Sequence, residues 1–140
     1  MADANGTETA KKILSDFKTW AVVGCSTDPS RAGNYVPAFL QSKGYKVIPV
    51  TPQAEEILGE RCYPDLASVP TEDGVEVVEI FRRSEQAGVH VDEAIAIGAK
   101  AVWMQLGVVD EKAVARARDA GLLVVMDRCP KMDHPRLIGS

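Results

Sequence analysis

Cysteine and histidine are scarce in this chain, three of one and two of the other among 140 residues. Cys25, Cys62 and Cys129 are odd in number, far apart and without a CxxC pair, which excludes a disulfide framework and leaves no zinc-ligand spacing. No metal site is expected. No apolar run reaches the roughly 18 residues of a membrane span, and the small, polar stretch from Met1 to Thr9 lacks the apolar centre of a signal peptide. A cytoplasmic protein without membrane attachment is the expectation. A positive field is missing too. The net charge is -4 with a pI near 5.2, and no Lys/Arg run occurs, so neither nucleic acid nor an acidic membrane is the expected partner. Any anion must be held by local groups.

What is present is an ordinary globular composition, 46% hydrophobic and 26% charged, at a length that suits one domain. That domain is expected to span residues 1–140, with the first seven flexible. Runs rich in Val and Ile recur at Trp20 to Gly24, Lys46 to Val50, Val75 to Phe81, Ala101 to Leu106 and Leu122 to Met126. They are nearly continuous, as expected of parallel strands covered on both faces. A short sixth strand is expected around Arg61 to Tyr63.

Helical patterns fill the gaps. Glu8 to Phe17 carries Ile13, Leu14 and Phe17 in one stripe, and Asn34 to Lys43 carries Val36, Phe39 and Leu40 before stopping at Gly44. Ser84 reads as the N-cap of a helix ending at Gly98, and Asp110 opens another that ends at Gly121. Pro130 to Leu137 reads as partly helical at best. Strands alternating with helices predict an α/β, doubly wound, mostly parallel sheet of Rossmann type with five or six strands. The expected order is 3-2-1-4-5, with the short strand near Cys62 at one edge and a further strand at the other if six form.

In such a sheet the ligand crevice lies outside the carboxyl ends of the strands. After the first strand come Gly24, Cys25, Ser26, Thr27, Pro29 and Arg31, then Gly33, Asn34 and Tyr35 at a helix start, where free N–H groups favour an anion. This is neither the dinucleotide fingerprint, since positions 26 and 29 are Ser26 and Pro29, nor a P-loop, since G-K-[ST] is missing. The second strand ends in Val50, Thr51 and Pro52, with no carboxylate for the ribose hydroxyls of NAD. A ribose bearing a 3′-phosphate is better tolerated there. Ile80, Phe81, Arg82 and Arg83 offer an aromatic face and two cations at the next strand end, and Gln105 and Gly107 close the one after.

The stretches Val22 to Ser26 with Pro29 and Arg31, Gly44 to Val50, Glu56 to Gly59, Phe81 to Arg83, Gly98 to Gly107 and Asp127 to Lys131 resemble the small stand-alone CoA-binding proteins. Their Rossmann domain is similar to the N-terminal domain of the succinyl-CoA synthetase α subunit. The resemblance runs from about Ile13 to Leu137 and implies coenzyme A lying across the first loop, the Val50-Thr51-Pro52 turn and the loop from Ile80 to Arg83. Two positions depart from it: Gly33 stands where relatives often have Ser, and Thr51 where they often have Asn.

No catalytic constellation is legible. His90 is expected on a helix surface away from the crevice, and His134 either to pack over the last strand or to reach the ligand. Cys62 reads as core, Cys25 as structural, and Cys129 as structural unless its thiol pairs with the sulfur of coenzyme A. The expectation is therefore a protein that binds coenzyme A or acyl-CoA without chemistry of its own. A subunit of an acyl-CoA-handling enzyme, or an NAD(P)-binding redox sensor or oxidoreductase, remains the alternative. A protein partner or a homodimer is open, and Trp103 could serve a dimer or only the core.

Overall fold

The structure, a computed structural model, describes residues 6–139. Its main sheet contains β1 (Thr19–Val23), β2 (Lys46–Val50), β5 (Val77–Ile80), β6 (Ala101–Gln105) and β7 (Leu123–Arg128), all parallel, in the order β2-β1-β5-β6-β7. The edge strand expected near Cys62 is reduced to one parallel bridge between Val50 and Tyr63. Its neighbours β3 (Glu56–Ile57) and β4 (Glu60–Arg61) pair with each other as a small antiparallel hairpin. Leu58 and Gly59 turn that hairpin with positive φ at both positions, the geometry that matches strand twist.

Helices cover both faces. On one lie α1 (Thr7–Asp16), α2 (Ala32–Ser42) and α5 (Pro130–Leu137); on the other lie α3 (Ser84–Ala96) and α4 (Glu111–Asp119). Alternate residues of each strand feed the two cores. Trp20, Val22, Trp103 and Val125 pack against Ala10, Ile13, Leu14 and Leu40, while Ala21, Val23, Val78 and Val102 pack with Ala87, Val91 and Ala113. Each fully buried Leu or Ile of this kind contributes about 1.5–3 kcal/mol. Trp103 is 0% exposed and its Nε1–H donates to the Arg128 carbonyl at 2.9 Å, so it belongs to the core and presents no dimer surface.

Several boundaries differ from expectation. Of the seven residues expected to be flexible, 1–5 lie outside the described residues, and Thr7 opens α1. Ser84 is the first residue of α3 and not its cap; its hydroxyl accepts the Val109 N–H at 2.9 Å instead. Asp110 does cap α4, accepting from the Ala113 N–H at 3.0 Å. The last segment is a full helix because Pro130 suits its first turn and the Arg128–Asp133 ion pair, 2.7 Å, pins it to β7. Among the described residues no helix is long and apolar enough to cross a membrane.

Three residues, Glu79, Gln105 and His134, bury side-chain polar atoms without a hydrogen-bond partner against the rule that such groups are paired, and Glu79 does so with both of its oxygens. Glu79 in β5 lies in register between Val22 and Trp103, is 0% exposed, and neither carboxyl oxygen has a hydrogen-bond partner. Burial pushes its carboxyl well above the usual range, so it is held protonated. Below the ordinary carboxylate range both folded and unfolded chains carry this proton. As pH rises past that range the unfolded chain releases it and the folded chain does not, so stability falls toward the folded pKa. Thermal or urea unfolding is expected to show wild type losing up to about 1.4 kcal/mol per pH unit over that window, a slope that Glu79→Gln removes. A wild-type slope retained in the variant would assign the effect elsewhere.

Candidate functional site

The order β2-β1-β5 places β1 between the two directions of winding, so its carboxyl end opens into the crevice of a doubly wound sheet. There the chain turns at Gly24, whose φ is 82° and whose N–H donates to the Val50 carbonyl at 3.0 Å. A Cβ on Gly24 would collide with the Phe81 carbonyl oxygen, so the turn needs glycine for its conformation and for space. Gly33, in the first turn of α2, is needed for a different reason. Its Cβ would stand 2.9 Å from the Gly24 carbonyl oxygen, so any side chain there requires the helix start to shift.

The loop between them is held by its own polar groups. Ser26 N–H donates to the Gly33 carbonyl at 3.1 Å. That carbonyl is available because residue 37, which would otherwise donate to it within α2, is proline. Asn34 Nδ2 donates to the Ser26 carbonyl at 2.8 Å, and Asp28 accepts from both the N–H and the hydroxyl of Ser30. These hydrogen bonds from Ser30 hold the exposed Asp28 carboxyl below its usual range. The N–H groups of Cys25, Thr27, Ala32 and Gly33 carry no intramolecular hydrogen bond among the described residues.

A crevice of about 260 Å³ opens over this loop, lined by Gly24, Cys25, Ser26, Thr27, Arg31, Thr51, Phe81 and Arg82 together with Gln53, Ala54 and Ile57. Neither Arg31 nor Arg82 has an ion-pair partner among the described residues. Two guanidinium groups outside any salt bridge, together with the N–H groups of Cys25 and Thr27, thus line one concavity in a chain of net charge -4, a donor set of the kind that suits an anion. Thr51 is buried and its hydroxyl accepts the Gln53 N–H at 3.1 Å, so no carboxylate stands at the end of β2. Cys25 lines the crevice as a thiol. Burial, then Cys62 and Glu79, push it up to about 12, which removes it as a nucleophile near neutral pH.

The remaining expected residues are placed otherwise. Val50 and Pro52 line a second pocket of about 200 Å³ that shares Gly24, Thr51 and Arg82 with the crevice, and Arg83 joins Phe81 and Arg82 at a shallower opening. Ile80 is in the core, Asn34 braces the loop, Pro29 is exposed in the loop, and Tyr35 projects outward with Lys131 Nζ 6.0 Å from its ring centre. Gln105 is buried and Gly107 is held by the Asp127 carboxylate, which accepts its N–H at 2.6 Å. Cys129 is 7% exposed, packed at the start of α5, so its thiol is not presented.

Both histidines need correction or choice. His134 packs between the Phe39 and Tyr45 rings, with centroids 5.7 and 5.9 Å away, which settles it in the core and not at a ligand. His90, expected away from the crevice, lines the second pocket beside Glu93. Its signal was a polar pair spaced i, i+3 on the helix that directly follows β5. Periodicity alone does not say that this face of α3 leans toward the strand ends.

The pattern that defines a CoA-binding domain matches residues 18–135. The chain belongs to that CoA-binding family. It is 38% identical over 125 residues to YneT of Bacillus subtilis (strain 168), an uncharacterized protein, with 89% of this chain and 90% of that one aligned. A hypothetical protein from Pyrococcus horikoshii OT3 has the same fold at a TM-score of 0.89 and 40% identity, covering 95% of this chain and 92% of that chain. A dinucleotide-forming acetyl-coenzyme A synthetase from Ca. Korarchaeum cryptofilum aligns at a TM-score of 0.70 and 30% identity, over 83% of this chain but 27% of the enzyme. The CoA-binding domain thus occurs both as nearly a whole chain and as a fraction of a larger one.

The two tight glycines can be separated experimentally. Gly24→Ala is expected to destabilise by about 2–4 kcal/mol, combining left-handed strain with a backbone collision. Gly44→Ala, at φ 90° with nothing within 4 Å of the added Cβ, should cost about 1 kcal/mol. Equal losses in urea unfolding would contradict the close approach to Phe81.

Proposed function

We propose that this protein binds coenzyme A or an acyl-CoA in the crevice over the Gly24 to Thr27 loop, as a carrier or sensor without catalysis of its own. The observation that carries this reading is that Arg31 and Arg82, which no salt bridge holds, line one crevice with Cys25 and Thr27, whose N–H groups have no intramolecular partner. Such a donor set fits a diphosphate. Thr51, in place of a carboxylate, fits a ribose with a 3′-phosphate and disfavours NAD. The chemistry of the crevice points to binding alone: its thiol stays protonated, and the nearest imidazole is tied to a carboxylate in the adjoining pocket.

The Korarchaeum enzyme supports a second reading, in which this chain supplies the coenzyme A site to a partner carrying other domains. Affinity capture of a synthetase-like partner that releases on adding coenzyme A would favour it.

Native mass spectrometry of the purified protein is expected to reveal a co-purified mass of coenzyme A, and calorimetric titration to rank coenzyme A above ADP and NAD. NAD binding tightest overturns the ligand assignment. Arg31→Glu is expected to weaken coenzyme A by at least about tenfold while adenosine is unaffected, since a charge-assisted contact becomes repulsive. A uniform loss for both ligands would place Arg31 outside the phosphate contacts.

A further inference from the structure

A groove of about 560 Å³ opens at the amino ends of β5 and β6, at the opposite edge of the sheet from the crevice. Its walls are Leu66, Val69 and Pro70 on one side and the end of α3, Ala96 to Gly98, on the other, and among the described residues only Thr71 lines it with a polar side chain. An apolar recess thus faces solvent. Its surroundings are acidic: between Glu55 and Glu76 the chain has seven carboxylates and one cation, Arg61, an excess that outweighs the net charge of -4. Glu72 and Asp73 fall between two lining residues, Thr71 and Gly74, and form no salt bridge among the described residues. The carbonyl end of the α3 dipole adds the same sign.

The outer surface of α2 and α5 is the reverse. From Ala32 to Ser42, α2 has no charged residue, although a helix at a surface ordinarily turns charge outward, and Tyr35 on it is 44% exposed. Beside it, α5 presents Met132, 49% exposed, with the exposed Lys131, Pro135 and Arg136. Lys43 and Lys131 flank this strip, each with Nζ 5.7 Å from the Phe39 ring centre. Neither they nor Arg136 form a salt bridge among the described residues, and Asp133, the only carboxylate on the two helices, is buried against Arg128. The result is an apolar ridge edged by cations alone.

We propose that the ridge of one molecule seats in the groove of a second copy, with Met132 and Tyr35 against the apolar walls and Lys131 facing Glu72 and Asp73. Charge decides this occupant. Two ridges face to face, or two grooves, would oppose like charges, so a two-fold contact through either surface is disfavoured and ridge meets groove. Because α2 and α5 cover one face of the sheet and α3 the other, a molecule engaged through its ridge keeps its groove free. The contact is head-to-tail, and copies add until a ring closes or a chain grows. It does not depend on what fills the crevice.

Sedimentation velocity and light scattering from micromolar to near-millimolar protein test this. The mass of wild type is expected to rise with concentration, and added salt to reverse the rise. Lys131→Glu on the ridge, and Ala67→Gln with Ala96→Gln, which fill the groove from exposed positions, are each expected to weaken self-association at least about tenfold, with the thermal midpoint unchanged. Tyr35→Ser is expected to act as Lys131→Glu does. Mixed together, a ridge variant and the groove variant hold one native groove and one native ridge between them. They are expected to form a one-to-one complex of wild-type affinity and nothing larger, which a merely structural effect of the substitutions would not give. Wild type that stays monomeric throughout overturns the proposal and leaves both surfaces to other partners. Self-association that survives in either kind of variant, or variants that fail to associate when mixed, overturns it as well.

Discussion

The close approach of Gly24 to the Phe81 carbonyl governs the whole carboxyl edge of the sheet. β1 pairs with β2 on one side and β5 on the other, so the chain leaving β1 has to turn in the narrow space between two neighbouring strand ends. Only a residue without a Cβ, in a left-handed conformation, makes that turn. The N–H bond to Val50 ties the turn to β2, and Gly33 then lets α2 start directly against the Gly24 carbonyl. Bringing strand end and helix start this close leaves N–H groups of the loop and of the first turn of α2 without intramolecular partners.

Around that turn, the polar groups that line the two pockets are divided between the two faces of the sheet. The α2 side carries the loop and Arg31; the α3 side carries the smaller pocket with His90 and Glu93; Arg82, at the end of β5, belongs to both. The loop is rigid because its polar groups satisfy one another, and Pro37 contributes by leaving the Gly33 carbonyl to Ser26. A preorganised cradle of this kind loses little freedom when a ligand arrives. The charge of the whole chain is no guide to this site, since Coulomb interactions across solvent are screened within about 8–10 Å and the two unpaired guanidinium groups act locally.

Much of the fold was legible because continuous Val/Ile runs separated by stretches of helical length admit few arrangements besides a covered parallel sheet. The turn after β1 was legible for a related reason: a glycine directly after an apolar run marks the end of a strand. The short strand near Cys62 was less so, because a strand of two or three residues exists only by virtue of what lies beside it, and Tyr63 finds room for a single bridge. The end of β7 likewise hid a bulge, with Asp127 at φ 59° and its carboxylate holding the Gly107 N–H.

Sequence alone determined the class of fold, the glycine turn at the end of β1 and the family, because each is encoded in local spacing: apolar period, glycine at a strand end, hydroxyls and a cation before a helix. Tertiary structure alone decided which side chains share a cavity. His134 and Trp103 were drawn into the core and His90 was brought to the second pocket, while Glu79 was stranded between Val22 and Trp103 with no hydrogen-bond partner. Those outcomes depend on how helices lean across the sheet and on strand register, which join residues far apart in the chain.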